Sequence, residues 1–205
     1  MSGQFYLLLK HSLLGVVISL FVAVGETNGQ TDWPAFMGLQ RNGLSSESHI
    51  FSEEGIKLQV EWLHTLGSGY SGVAVAADIA VVMYSKNHLD YVQAFVVSTG
   101  NILWKYTIGP TYKGHGNSQD GPLSTPALSK EHAFCLTPHG TLLALELNSG
   151  ALVWERNLVQ ELAAPPPHWG FVTSPLLFDD IIILMVGSAE DGLLVGFDQQ
   201  TGKIL

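Results

Sequence analysis

Two stretches of this 205-residue chain hold the side chains best suited to chemistry or recognition. Residues 109–123 read G-P-T-Y-K-G-H-G-N-S-Q-D-G-P-L and carry Asp120, while residues 159–172 contain A-A-P-P-P-H-W-G-F and carry His168 and Trp169. A carboxylate, an imidazole and an indole offer a charge, a proton-exchanging ring and a stacking face. Long irregular loops of this kind are where binding groups tend to sit. Each residue also has a plain structural reading. Asp120-Gly121 reads as a turn, His168 as a solvated loop residue, and Trp169 as a plug between packed units.

Other reactive groups are sparse. Cys135 is the single cysteine and lies in the apolar run A-F-C-L, so no intrachain disulfide forms and a buried structural thiol is expected. The eight histidines are scattered along the sequence, which does not suggest a zinc site. Neither a P-loop nor a G-x-S-x-G pattern occurs. No catalytic or metal-ligating constellation is therefore expected.

The elements that position the two loops are repeats. Residues 94–104 (A-F-V-V-S-T-G-N-I-L-W) align without a gap on residues 144–154 (A-L-E-L-N-S-G-A-L-V-W), and 196–205 (G-F-D-Q-Q-T-G-K-I-L) follow the same frame. Each is an alternating apolar strand, a turn with a glycine free to take positive φ, and a second strand. Gly100, Gly150 and Gly202 are 50 and 52 residues apart, Trp104 and Trp154 are 50 apart, and Trp62 in V-E-W-L-H-T-L-G opens the series. Upstream, Ser71-Gly72-Val73, Ser124-Thr125-Pro126 and Thr173-Ser174-Pro175 each start an apolar run. Asp78, Glu131 and Asp180 then precede a second one in the same frame.

Four strands in about 50 residues is the size of one β-propeller blade. The reading is an all-β propeller of four-stranded blades with tryptophan-docking hairpins, about three to four blades, and an incomplete ring. A β-sandwich with coincidental turns is the competing architecture. Blades fall at about 71–108, 123–158 and 172–205, after a closing strand at about 58–66, within a propeller unit spanning 49–205.

Ahead of that unit, residues 12–25 form an apolar stretch behind Lys10 and His11, with Ala23 and Gly25 placed for cleavage before Glu26. This is the layout of a secretory signal peptide over 1–25, and it implies export to a periplasm or the exterior. An uncleaved anchor over 5–24 is the alternative, although Lys10-His11 interrupts it. After cleavage no stable membrane span is expected. Residues 26–48 read as a linker and an N-terminal arm, with Trp33, Phe36 and Met37 as apolar anchors.

Charged residues make up 13% of the chain and the formal net charge is −9, with Lys and Arg scattered singly. Without a basic stripe to neutralise phosphates, nucleic acid is excluded as a partner. The 22 glycines suit short strands joined by tight turns.

With W-P-A-F-M-G, Y-S-G-V-A-V, D-G-P-L-S-T-P and the T-G-N-I-L-W hairpins, the chain resembles PQQ-binding-like β-propeller repeat proteins. That family includes quinoprotein alcohol dehydrogenases and the propeller of the BamB type. The resemblance implies that Trp62, Trp104 and Trp154 dock on neighbouring blades. It implies PQQ and calcium as the cofactors of an enzymatic member, with an aspartate base and, in many members, two adjacent cysteines beside the quinone. One cysteine cannot make that pair.

Three functions follow. The first is an exported, non-catalytic module that binds a protein, carbohydrate or small ligand. The second is the N-terminal part of a quinone- and calcium-dependent dehydrogenase, and the third a scaffold of an envelope complex. Because an open arc leaves a strand edge and an apolar face uncovered, and 205 falls one short of the next expected tryptophan, the sequence is expected to continue into further repeats.

Overall fold

A computed structural model describes residues 32–48, 55, 59–116, 118–187 and 192–205. The expected signal peptide (1–25), the head of the linker (26–31) and the start of the 49–205 unit at 49–54 and 56–58 lie outside them. Three antiparallel sheets follow one another along the chain. The first is β1 (Ala74–Ala76), β2 (Ile79–Lys86), β3 (Leu89–Val96) and β4 (Ile102–Pro110), paired in that order. The second is β5 (Ala127–Leu128), β6 (His132–Leu136), β7 (Thr141–Glu146) and β8 (Leu152–Asn157), followed by one helical turn, α1 (Leu158–Glu161). The third is β9 (Leu176–Phe178), β10 (Ile181–Val186) and β11 (Leu193–Asp198), with an isolated antiparallel bridge from Phe197 to Ile204. The blade reading and its repeat frame hold.

The middle sheet explains why its strands read as unbroken apolar runs. Alternate residues of a strand point to opposite faces, and here both faces are covered. Ala133, Cys135, Leu143 and Leu145 pack with Val81, Met83, Val92 and Trp104 of the first sheet. Phe134, Leu136, Leu142 and Ala144 pack with Ile182, Leu184 and Phe197 of the third. Register places large against small, Phe134 opposite Ala144, so neighbouring blades approach closely. The outer strand β4 is mostly exposed, and Trp104 is its one buried residue.

Tryptophan docking is built the same way three times. The indole N–H of Trp62 donates to the Val97 carbonyl at 2.7 Å, that of Trp104 to Leu147 at 2.8 Å, and that of Trp154 to Gln199 at 2.9 Å. In each case the acceptor lies three residues before the repeat glycine. Each ring covers that glycine so tightly that a Cβ would meet it at 2.5 Å on Gly100, 2.5 Å on Gly150 and 2.6 Å on Gly202. The acidic turns complete the unit. The carbonyls of Asp78, Glu131 and Asp180 accept the N–H groups of the same residues, Val97, Leu147 and Gln199, at 2.7–2.9 Å.

Two expectations are corrected. Residues 59–66 form no ladder strand, because among the described residues they have no partner strand, although Trp62 docks as expected. The arm is anchored by Trp33 and Ala35, whereas Phe36 and Met37 are exposed. Trp33 exchanges two backbone hydrogen bonds with Val75 of β1, and the Pro34 carbonyl accepts from Leu128 of β5. The arm thus stitches the inner strands of two blades, a position with room for the narrow backbone and for one ring lying over Gly38.

Candidate functional site

The inner ends of the blades are joined through the three-residue motifs. The first hydroxyl of each, from Ser71, Ser124 or Thr173, bonds the backbone of the second strand of its own blade, at Met83, Leu136 and Met185. The middle residue reaches the next blade. Gly72 N–H donates to Thr125 Oγ1 at 3.0 Å, and Thr125 N–H donates to Ser174 Oγ at 2.9 Å. This fixes the residue just ahead of each motif at an equivalent place. Those residues are Tyr70, Leu123 and Val172, and all three line one open pocket of about 270 Å³.

The two loops supply its other walls. The first loop is closed at its ends by the Gly121 N–H, which donates to the Tyr112 carbonyl at 2.9 Å. At its base, the Tyr112 N–H donates to the buried carboxylate of Asp90 at 3.0 Å. The other Asp90 oxygen has no hydrogen-bond partner among the described residues, and burial pushes this carboxyl above its ordinary range, only partly offset by the Tyr112 N–H. The second loop is held on the turn between β6 and β7 through the Phe171 N–H, which donates to the Pro138 carbonyl at 3.0 Å. Gly170 packs where a Cβ would stand 3.0 Å from the Tyr112 hydroxyl.

Rings from both loops then meet, edge to face on Trp169 and tilted between the two histidines. His115 lies 5.1 Å from His168 and 5.9 Å from Trp169, and His168 lies 4.9 Å from Trp169. Tyr112 contacts His115 on one side and His139 on the other. Trp169 lines the pocket and is 53% exposed, as is Tyr70 at 55%. The structural reading of Trp169 as a buried plug therefore does not hold.

The three expected residues do not share one site. Trp169 is in the pocket wall, whereas His168 is exposed and does not line the pocket, its ring meeting the Trp169 ring edge to face. Asp120 faces a separate polar hollow, with Lys86, His88 and Lys113 on its wall. Its two oxygens are engaged, by Lys113 Nζ at 2.7 Å and by the Gly114 N–H at 3.0 Å. The Lys113 contact first, and then the Gly114 N–H, hold its pKa below the ordinary carboxylate value. Asp120 thus organises its own loop. Tyr70, Tyr112 and His115 belong to the pocket and were not expected there. His115 and His168 are 53 positions apart, so only the repeat geometry joins them. Tyr70, by contrast, was findable, since it stands where Leu123 and Val172 stand in the other repeats.

Among the described residues, no group of three His, Cys, Asp or Glu side chains could hold a metal ion. Among the described residues no carboxylate lines the pocket, so these residues do not fit calcium, which takes six to eight oxygen ligands. Nor do they fit a tricarboxylate quinone, because among them no Lys or Arg lines the pocket. Cys135 is wholly buried between blades, where burial raises its thiol pKa far above the ordinary value.

Compared with known proteins, residues 89–205 match the family model described as outer membrane protein assembly factor BamB, more than half of the chain. Of solved structures, the quinohemoprotein alcohol dehydrogenase from Comamonas testosteroni superposes with a TM-score of 0.64 at 22% identity, over 85% of this chain and 26% of its own. A europium-containing methanol dehydrogenase gives 0.50 at 21%, over 68% and 24%. BamB from Moraxella catarrhalis gives 0.44 at 20%, over 67% and 34%. The chain thus spans about a quarter of the length of those dehydrogenases, and the likeness to them is one of fold. No curated protein matches it in sequence.

Proposed function

Because the chain belongs to the BamB-type family of PQQ-like repeat propellers, we propose that it is an exported, non-catalytic binding module whose ligand seats in the pocket at the inner ends of the blades. One observation carries this reading. Equivalent positions of three blades and two interlocked loops converge on a single pocket, and that pocket keeps Trp169 and Tyr70 half exposed. Burying such rings is worth about 1.5–3 kcal/mol for a large apolar side chain, so leaving two of them open favours a partner that covers them. Fold likeness to dehydrogenases does not by itself bring their chemistry, and the donor set at the pocket speaks against calcium and quinone there. Export rests on the leader pattern of residues 1–25.

Titration with PQQ and calcium, followed by quinone absorbance and tryptophan fluorescence, tests the choice. No stoichiometric binding is expected up to high micromolar quinone. Tight one-to-one binding that needs calcium would overturn the non-catalytic reading in favour of a dehydrogenase.

A further inference from the structure

The walls of the pocket identify the kind of ligand, provided that the binding-module reading above is right. We infer that the occupant is a neutral saccharide ring. Three features of the pocket lead there. Among the described residues no Asp, Glu, Lys or Arg lines it, and Lys113 and Asp120 of the separate polar hollow neutralise each other at 2.7 Å. An ionic ligand would find no counter-charge. Two of its aromatic surfaces, Trp169 above all and Tyr70, stand open to solvent. The C–H face of a pyranose covers such a ring without needing charge.

The third feature is the rim. His115 makes no side-chain hydrogen bond among the described residues, and its ring stands at the pocket edge. Ser118 Oγ accepts the His115 N–H at 3.0 Å, and the Tyr70 hydroxyl accepts the Gln119 N–H at 2.9 Å. Both hydroxyls therefore keep their own proton free to donate. A rim of one imidazole and two donating hydroxyls around an aromatic floor matches a ring with apolar faces and hydroxyl edges. A flat heteroaromatic ligand would cover the floor and leave most of that rim unpaired.

The test is tryptophan fluorescence together with ligand-observed NMR on the full chain. The probes are methyl glucoside, maltotriose, glucuronate and riboflavin, each with the Trp169→Ala and Trp169→Phe variants. Both variants alter an exposed ring, and unchanged circular dichroism would show that they fold. The neutral sugars are expected to bind, with Trp169→Ala weakening them about 3- to 10-fold, the worth of one aromatic contact, and Trp169→Phe less. Glucuronate should bind more weakly than methyl glucoside. If riboflavin or glucuronate binds better than the neutral sugars and responds to Trp169→Ala, the neutral-saccharide assignment is wrong while the binding site stands. If no probe binds, or none responds to Trp169→Ala, both readings fall.

Discussion

Replacing Gly150 with alanine should cost about 3–5 kcal/mol, and the geometry says where each part arises. Gly150 has φ +71°, a left-handed conformation that costs an L-residue about 1–2 kcal/mol. Its added Cβ would stand 2.5 Å from two ring atoms of Trp104, so the ring must move. Moving it breaks the 2.8 Å indole bond to the Leu147 carbonyl, worth about 1 kcal/mol, and opens packing whose full loss on Trp→Ala is about 3–5 kcal/mol. Set against a typical domain stability of about 5–15 kcal/mol, this is a large fraction. Urea unfolding followed by circular dichroism measures it.

Two controls separate the causes. Gly109 also has a positive φ, +153°, but a Cβ there would meet nothing within 4 Å, so Gly109→Ala should cost only the backbone part. In a Trp104→Ala background the clash is gone, and Gly150→Ala should again cost only about 1–2 kcal/mol. The double-mutant cycle should thus show a coupling of about 2 kcal/mol. Strict additivity, or a Gly150→Ala no worse than Gly109→Ala, would refute the docking account.

Two further predictions concern buried titratable groups. Asp90 is raised by burial, so the folded state holds its proton more tightly than the unfolded one. Its contribution is fully present below the ordinary carboxylate value and lost as pH rises through the folded value. Stability should therefore climb on acidification from neutrality, and Asp90→Asn should flatten that slope and be neutral or stabilising at pH 7. Urea midpoints across pH decide this, and a variant whose slope equals the parent's would remove the assignment. Cys135 should resist maleimide in the folded protein and react at once in urea, because its thiol is fully buried and held protonated by desolvation. Rapid labelling of the native protein would show that the first two blades separate readily.

The blade frame was legible because it rests on residue types with few substitutes. Only glycine fits beneath the indole at Gly100, Gly150 and Gly202, and only a tryptophan fills that wedge while donating to a carbonyl three residues upstream. Such constraints repeat in register and can be read as spacing. The pocket was only half legible. Trp169 stood out as an unusual residue in a loop, but its neighbours His115 and Tyr112 come from another loop, and contacts between loops leave no periodicity. Asp120 drew notice as a lone carboxylate in a glycine-rich stretch. Its two bonds inside that stretch, to Lys113 and Gly114, make it a local fastener.

The same repetition explains how a site arises on this frame. The belt through Gly72, Thr125 and Ser174 holds the inner ends of the blades in fixed relation, whatever the preceding residue is. Tyr70, Leu123 and Val172 therefore sit at matched positions with unmatched side chains, an aromatic hydroxyl, a branched aliphatic and a β-branched one. Backbone geometry at the pocket is set by the repeat, and chemistry by whichever side chain each repeat places there. Changing Tyr70 alone should thus change what the pocket holds without disturbing the blades, whereas changing Thr125 should loosen the blades without altering the pocket's chemistry. Recognition and stability lie on adjacent residues of one motif and remain separable.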